Sequence, residues 1–175
     1  MLKKTVILSM TLIATILIYA AMQPDTFRIE RSISINASPE KIFPHINDFH
    51  RWEAWSPWEK IDPGIKRSYS GAESGKGAIY EWQGNQDIGQ GRMEIVKSTP
   101  SRNLVIELHF LQPFEARNTV EFQLEAGDNA TAVTQAMYGS NSFVSKLMNL
   151  IFDMDKMVGE KYEEGLVSLK TIAEH

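Results

Sequence analysis

The hydrophobic and polar positions of this chain change period several times. Thr5 to Met22 has no period: the run is uncharged and rich in Ile, Leu, Val and Ala. As a helix it would extend about 27 Å, against a hydrocarbon core of about 30 Å. Gln23-Pro24-Asp25-Thr26 then reads as a polar linker broken by proline. From Phe27 to Ile35 the period is two, with Phe27, Ile29, Ile33 and Ile35 on one face and Arg28, Glu30, Ser32 and Ser34 on the other, which predicts a half-buried strand. Arg31 interrupts the apolar face.

Asn36 to Glu40 predicts a helix entry, with Ser38 as N-cap and Pro39 at the first helical position. Ile42, Phe43, Ile46 and Phe49 form its apolar stripe, continued by Trp52. Pro44 lies near its start, where the missing amide costs least or produces a break, so two short helices are expected rather than one, and Pro57 and the Asp62-Pro63-Gly64 turn end the stretch. From Ile65 to Gly139 the period of two returns in short segments separated by turn residues, which predicts an antiparallel sheet. Its strands are expected near 65–69, 77–83, 89–98, 103–111, 115–124 and 131–138. In the strand from Asn103, Leu104, Ile106, Leu108 and Phe110 share one face and Val105, Glu107 and His109 the other.

From Ser142 the period becomes 3.6: Phe143, Leu147, Leu150, Ile151, Met154, Met157, Val158, Leu166, Leu169 and Ile172 recur at three- and four-residue steps. One long amphipathic helix to the C-terminus is expected. Gly159 and Gly165 lie inside it, each costing about 1 kcal/mol relative to alanine. Close approach of the helix to the sheet would explain them.

Lys3 and Lys4 precede the apolar run, so the positive-inside rule puts the N-terminus in the cytoplasm and the rest of the chain on the periplasmic or extracytoplasmic side of a single-pass anchor. The alternative is secretion after signal cleavage, but cutting after Ala20 or Ala21 leaves Ile18 or Tyr19 where a small residue is wanted. We therefore divide the chain into an anchor, 1–24, and one globular domain, 25–175. The 18 Lys and Arg stand against 22 Asp and Glu, and losing the two N-terminal lysines makes the domain more acidic still. That disfavours a nucleic-acid partner. There is no cysteine, which excludes disulfides, thiolate metal sites and a cysteine nucleophile.

Three tryptophans in seven residues, Trp52, Trp55 and Trp58, stand out as an aromatic wall beside a cavity or as core packing. On a helix, Trp52 and Trp55 share a side, while Pro57 frees Trp58. Tyr69, Tyr80 and Trp82 belong to the same comparison. His45, His50 and His109, with Glu53, Asp62, Glu81 and Glu107, are the available acid/base groups, but the pattern puts most of them on wet faces. His45 and His50 are five apart, which is not a metal pair at helical spacing. Arg31 and Arg92 sit among apolar strand neighbours, where each would orient a ligand anion or pair with a carboxylate, Glu81 or Glu94 for example. Gly89 and Gly91 suggest a bulge rather than a phosphate loop. The eight methionines, Met148, Met154 and Met157 among them, suit either an adaptable cavity lining or plain core filling. No Ser/His/Asp order, nucleotide fingerprint or metal-ligand spacing is present.

The stretch Ile33 to Phe43, with Ile46-Asn-Asp-Phe49, Trp52 to Trp58 and Asp62-Pro63, resembles the polyketide cyclase/dehydrase-type members of the START-like SRPBCC superfamily. So do Tyr80-Glu-Trp-Gln-Gly-Asn85 with Gly89 and Gly91, Asp155-Lys-Met-Val-Gly159, and Glu163-Glu-Gly-Leu166. The likeness covers essentially residues 27 to 173. It implies an α+β helix-grip (START/Bet v 1-like) fold. In that fold about seven antiparallel strands wrap a long C-terminal helix, two short helices follow the first strand, and a cavity between helix and sheet holds a lipid or other hydrophobic small molecule. Here an N-terminal transmembrane helix would precede it. The contacts expected for such a ligand are Trp52, Trp55, Trp58, Tyr80, Trp82, Arg92, Phe110, Met137 and Met154, with no catalytic residue, no metal and no cofactor assigned.

Three functions follow. The first is a membrane-tethered domain that binds a hydrophobic small molecule or lipid. The second is a cyclase- or dehydratase-like enzyme using His45, Glu81 or Glu107, which needs a titratable group on the cavity wall. The third is a non-catalytic interaction or stress-response module with a filled core and an exposed apolar patch.

Overall fold

The computed structural model describes residues 2–175; Met1 of the expected anchor lies outside the described residues. Helix α1 (Leu2–Ala21) precedes strand β1 (Thr26–Ile35) and helix α2 (Pro39–Ile46), then two 3-10 turns, Phe49–Ala54 and Pro57–Lys60. Strands β2 (Lys66–Gly71), β3 (Ala78–Gln83), β4 (Gln90–Thr99), β5 (Asn103–Gln112), β6 (Ala116–Ala126) and β7 (Thr131–Ser140) follow. Helices α3 (Phe143–Asn149) and α4 (Met154–Ala173) end the chain. The strands form one antiparallel sheet in the order β1-β7-β6-β5-β4-β3-β2, so only the β1–β7 pairing needs a long return.

The alternation of each strand sends one set of side chains inward. Ile35, Ile95, Leu104, Ile106, Phe122 and Val133 are fully enclosed, and Leu166 and Leu169 of α4 close the core from the other side. The glycines expected to bring α4 close do so. Gly159 lies over the Arg31 guanidinium, which a Cβ at that position would strike, and Gly165 faces Pro57 and the Trp55 ring. Arg31 thus has no ligand role to explain: it donates to Glu163 at 2.7 Å and to Asp155 at 3.0 Å and ties β1 to α4. Those two carboxylates hold its charge firmly, above the ordinary arginine range.

The expectation of one helix from Ser142 onward is corrected. Ser142 caps α3 by accepting from Ser145 N, and Asp153 starts α4 afresh by accepting from Lys156 N at 3.0 Å. The apolar period runs on across the break, which is why the sequence pattern conceals it. The structural consequence is large. Phe143, Leu150, Ile151, Met154 and Met157, read as one apolar stripe, are exposed, and α3 packs against α1. Near the N-terminus, Ser38 occupies the N-cap position of α2 but its hydroxyl makes no capping bond, and Pro44 lies within the helix without breaking it.

Candidate ligand cavity

The tryptophan segment is held by the end of α2. An eight-residue helix leaves its last carbonyls without partners, and here the indoles take them: Trp52 Nε1 donates to Ile46 O and Trp55 Nε1 to His45 O, each at 3.0 Å. These bonds turn both rings inward beneath α4. Their centroids are 5.0 Å apart, and both stand edge-on to Phe122 of β6 at about 6 Å. Phe49 extends the row to Tyr80 at 5.8 Å, Tyr80 to Trp82 at 6.0 Å, and Trp82 to Phe110 at 5.9 Å. A continuous wall of rings crosses from the 3-10 turns to β5.

Trp82 lies flat over β4 because Gly91 has no side chain; a Cβ there would meet the indole and the His109 carbonyl. The strand register shifts between Gln90 and Gly91, the irregularity that the two glycines suggested. Trp82 Nε1 then donates to Ile88 O at 3.1 Å, which folds the β3–β4 loop over the ring.

These rings and the inner face of the sheet enclose a cavity of about 160 Å³ under α4. Trp52, Trp55, Trp58, Tyr80, Trp82 and Phe110 line it, and Met137 of β7 completes the far wall. Rings such as Trp55, at 2% exposure, therefore pack the core and face the cavity at once. Trp58, Asp87, Ile88 and Lys161, which retain contact with solvent, form its mouth.

Two residues named from sequence lie elsewhere. Arg92 points away from the cavity and pairs with Glu94, two residues along its own strand, at 2.7 Å. Met154 is an exposed residue in the first turn of α4, and Met148 and Met157 also miss the cavity, whose methionines are Met93 and Met137. The acid/base candidates fare similarly. Glu81 and Glu107 are exposed on the outer face, His109 is half-buried against Glu115, and His45 and His50 border a shallow surface depression with Arg51 and Glu53. Partial burial and Arg51 hold the His45 imidazole below its ordinary acidity range. Among the described residues no cluster of His, Asp or Glu is placed to hold a metal ion.

Sequence reasoning missed the polar groups that do line the cavity. Glu59 follows Trp58 and is buried; its Oε1 accepts from the Tyr80 hydroxyl and its Oε2 from Arg67 Nε, each at 2.7 Å. Both oxygens are thus engaged in joining the second 3-10 turn to β2 and β3. Gln135 of β7 is 5% exposed and its Oε1 has no protein partner, and its side chain lies beside Tyr162 of α4. A polar residue in the apolar phase of β7 was the available signal: Gln135 alternates inward with Val133 and Met137.

Burial pushes the Tyr162 hydroxyl far above the ordinary phenol range, and burial followed by the Glu59 bond does the same to Tyr80. Raised values stabilise the fold fully below the unfolded-chain value of 10.0, and that contribution is lost as pH rises beyond it, because the unfolded chain ionises first. Absorbance at 295 nm should therefore fall short of the amplitude for all five tyrosines at about pH 11. The remainder should appear only with unfolding; full amplitude from the native protein would contradict the buried placement.

The family model described as polyketide cyclase/dehydrase and lipid transport matches residues 26–174. Among proteins with curated descriptions none matches. Among solved structures, the Aha1 dimer from Colwellia psychrerythraea superposes with a TM-score of 0.60 at 21% identity, covering 85% of this chain and 96% of that one. Ara h 8.0201 superposes at 0.58 with 12% identity, covering 85% and 97%. DynU16, a putative protein in the dynemicin biosynthetic locus, gives 0.58 at 15% identity over 87% of this chain and 48% of its own length. At these identities the superpositions speak for the helix-grip fold alone. With a family match over nearly the whole of the sheet-and-helix domain, the chain belongs to the polyketide cyclase/dehydrase and lipid transport family.

Proposed function

We propose that this chain is a membrane-tethered binding domain that holds the apolar part of a small hydrophobic molecule in the cavity under α4. The observation that carries the reading is the ring-walled, partly open space itself. Its volume of about 160 Å³ is close to that of the roughly 150 Å³ apolar cavity known to take up benzene. A single ring or the end of a chain fits, with the rest of a longer ligand projecting through the mouth; a lipid with two acyl chains is too large to be enclosed. Gln135 Oε1 offers one acceptor to a donor on such a ligand, since an unpaired buried carbonyl is costly until something bonds to it.

Tethering is supported by α1, whose segment Lys3–Ala21 is long and apolar enough to cross a bilayer and is almost entirely unburied. In this reading 1–24 is the anchor and 25–175 the domain, with the N-terminus cytoplasmic. The family description includes lipid transport, which accords with a hydrophobic ligand. An acid/base role for Glu59 is less well supported than a structural one, because both of its carboxylate oxygens already accept hydrogen bonds.

The test uses 4-fluorophenol, a ring with one donor, and fluorine NMR on the full chain in detergent. Saturable exchange broadening is expected, and Val120→Phe, which places a ring in the cavity from β6, should weaken uptake by at least about tenfold. Equal broadening by the filled variant, with native mass spectrometry finding no copurifying small molecule, would overturn the reading.

A further inference from the structure

Apart from Tyr69, Met157 and Val167, the large exposed apolar residues of the domain gather in one region. One end of the sheet carries the β1 entry, the β3–β4 loop, the β5–β6 turn and the β7 exit, as the pairings Thr26↔Ser140, Gln83↔Gln90 and Phe110↔Ala116 require. At this end stand Phe114 at 70% exposure, Val144 at 64% and Ile151 at 75%, with Leu111, Phe143 and Phe152 beside them. The turns at the opposite end, 72–77, 100–102 and 127–130, expose no large apolar side chain.

The apolar end is also the end to which α1 is fastened. Only Met22 to Asp25 separate α1 from β1, a reach of at most about 14 Å. Even that reach is taken up: Lys146 of α3 pairs with Asp25 at 2.6 Å, and Asn141 donates through its backbone to Asp25 O and through its side chain to Pro24 O. Helix α3 packs directly on α1. With α1 in a bilayer, this end of the domain has nowhere else to lie but at the lipid surface.

We infer that α3, the 150–153 connector and the β5–β6 turn form a collar that inserts into the bilayer's interfacial layer. The cavity mouth is then held beside the membrane. The collar adds to the anchor rather than replacing it, because burying these side chains removes apolar surface from water. Water-facing residues would gain nothing from being Phe, Val and Ile at such exposures, and a single patch of this kind on one end marks a contact surface. Asp87 and Ile88 at the mouth belong to the β3–β4 loop, next to the β5–β6 turn in the sheet. A ligand dissolved in the bilayer would therefore enter without crossing bulk water.

This inference rests on the tethered reading, and the chain's lack of cysteine permits a test that separates the two. Single variants Leu12→Cys, Phe114→Cys, Ile151→Cys and Asp128→Cys of the full chain are spin-labelled in phosphatidylethanolamine/phosphatidylglycerol nanodiscs. Collision rates with oxygen and with a water-soluble nickel chelate are compared. Labels at 12, 114 and 151 should favour oxygen several-fold more than the label at 128. A lipid-exposed label at 12 with water-exposed labels at 114 and 151 would overturn the collar and leave the anchor standing. A water-exposed label at 12 would overturn both. Labels at 114 and 151 hidden from both reagents would mean a protein contact at this surface and would equally overturn the collar.

Discussion

Replacing Trp55 with alanine is expected to destabilise the domain by about 4 kcal/mol, within the range for deleting a buried indole. The ring is 2% exposed, touches Trp52 and Phe122, and donates the hydrogen bond that occupies the His45 carbonyl at the end of α2. A domain of ordinary stability has only about 5–15 kcal/mol to lose. Urea unfolding followed by far-ultraviolet circular dichroism would measure the loss independently of tryptophan emission. Because Trp55 lines the cavity, the hole left behind opens into space already present, so added indole should recover part of the loss by mass action. A loss below about 1 kcal/mol, or no response to indole, would mean that the ring is not seated as described.

Gly91→Val should come next, at about 3 kcal/mol, the upper part of the usual range for overpacking. Neither obstacle to a side chain there yields easily: one is the Trp82 indole and the other the His109 carbonyl of the paired strand. Displacing Trp82 breaks its bond to Ile88 O and drives the ring into the cavity. Stability and 4-fluorophenol uptake should therefore fall together. Gly64→Ala is the natural control, since its new Cβ would sit at an ordinary 3.4 Å from Asp62 Oδ1. Unchanged uptake by Gly91→Val in a folded protein would separate Trp82 from the cavity.

The sheet was legible because its signal is local. In β5, for instance, Leu104, Ile106 and Leu108 alternate inward with Val105, Glu107 and His109, and turn residues bound the strand on each side. The aromatic wall was legible for a related reason: large rings have few places to go, and those from Trp52 to Phe110 converge where the helix-grip likeness put a cavity. The α3–α4 break was not legible, since the helical period survives it and only the side-chain caps of Ser142 and Asp153 mark it. The same misreading placed Met154 at the site. Arg92 went astray differently: its strand neighbours are apolar, but its own phase is outward, where Glu94 waits. Glu59 and Gln135 depend on contacts between segments far apart in sequence, and periodicity carries no information about which distant partner a buried polar group will meet.

All four tryptophans of the chain border the cavity under α4. The protein's ultraviolet emission therefore reports a single location, and excitation can migrate between rings as close as the 5.0 Å of Trp52 and Trp55. An occupant that quenches any one of them would dim the whole signal. The unmodified protein thus carries its own optical gauge of occupancy, read without a label.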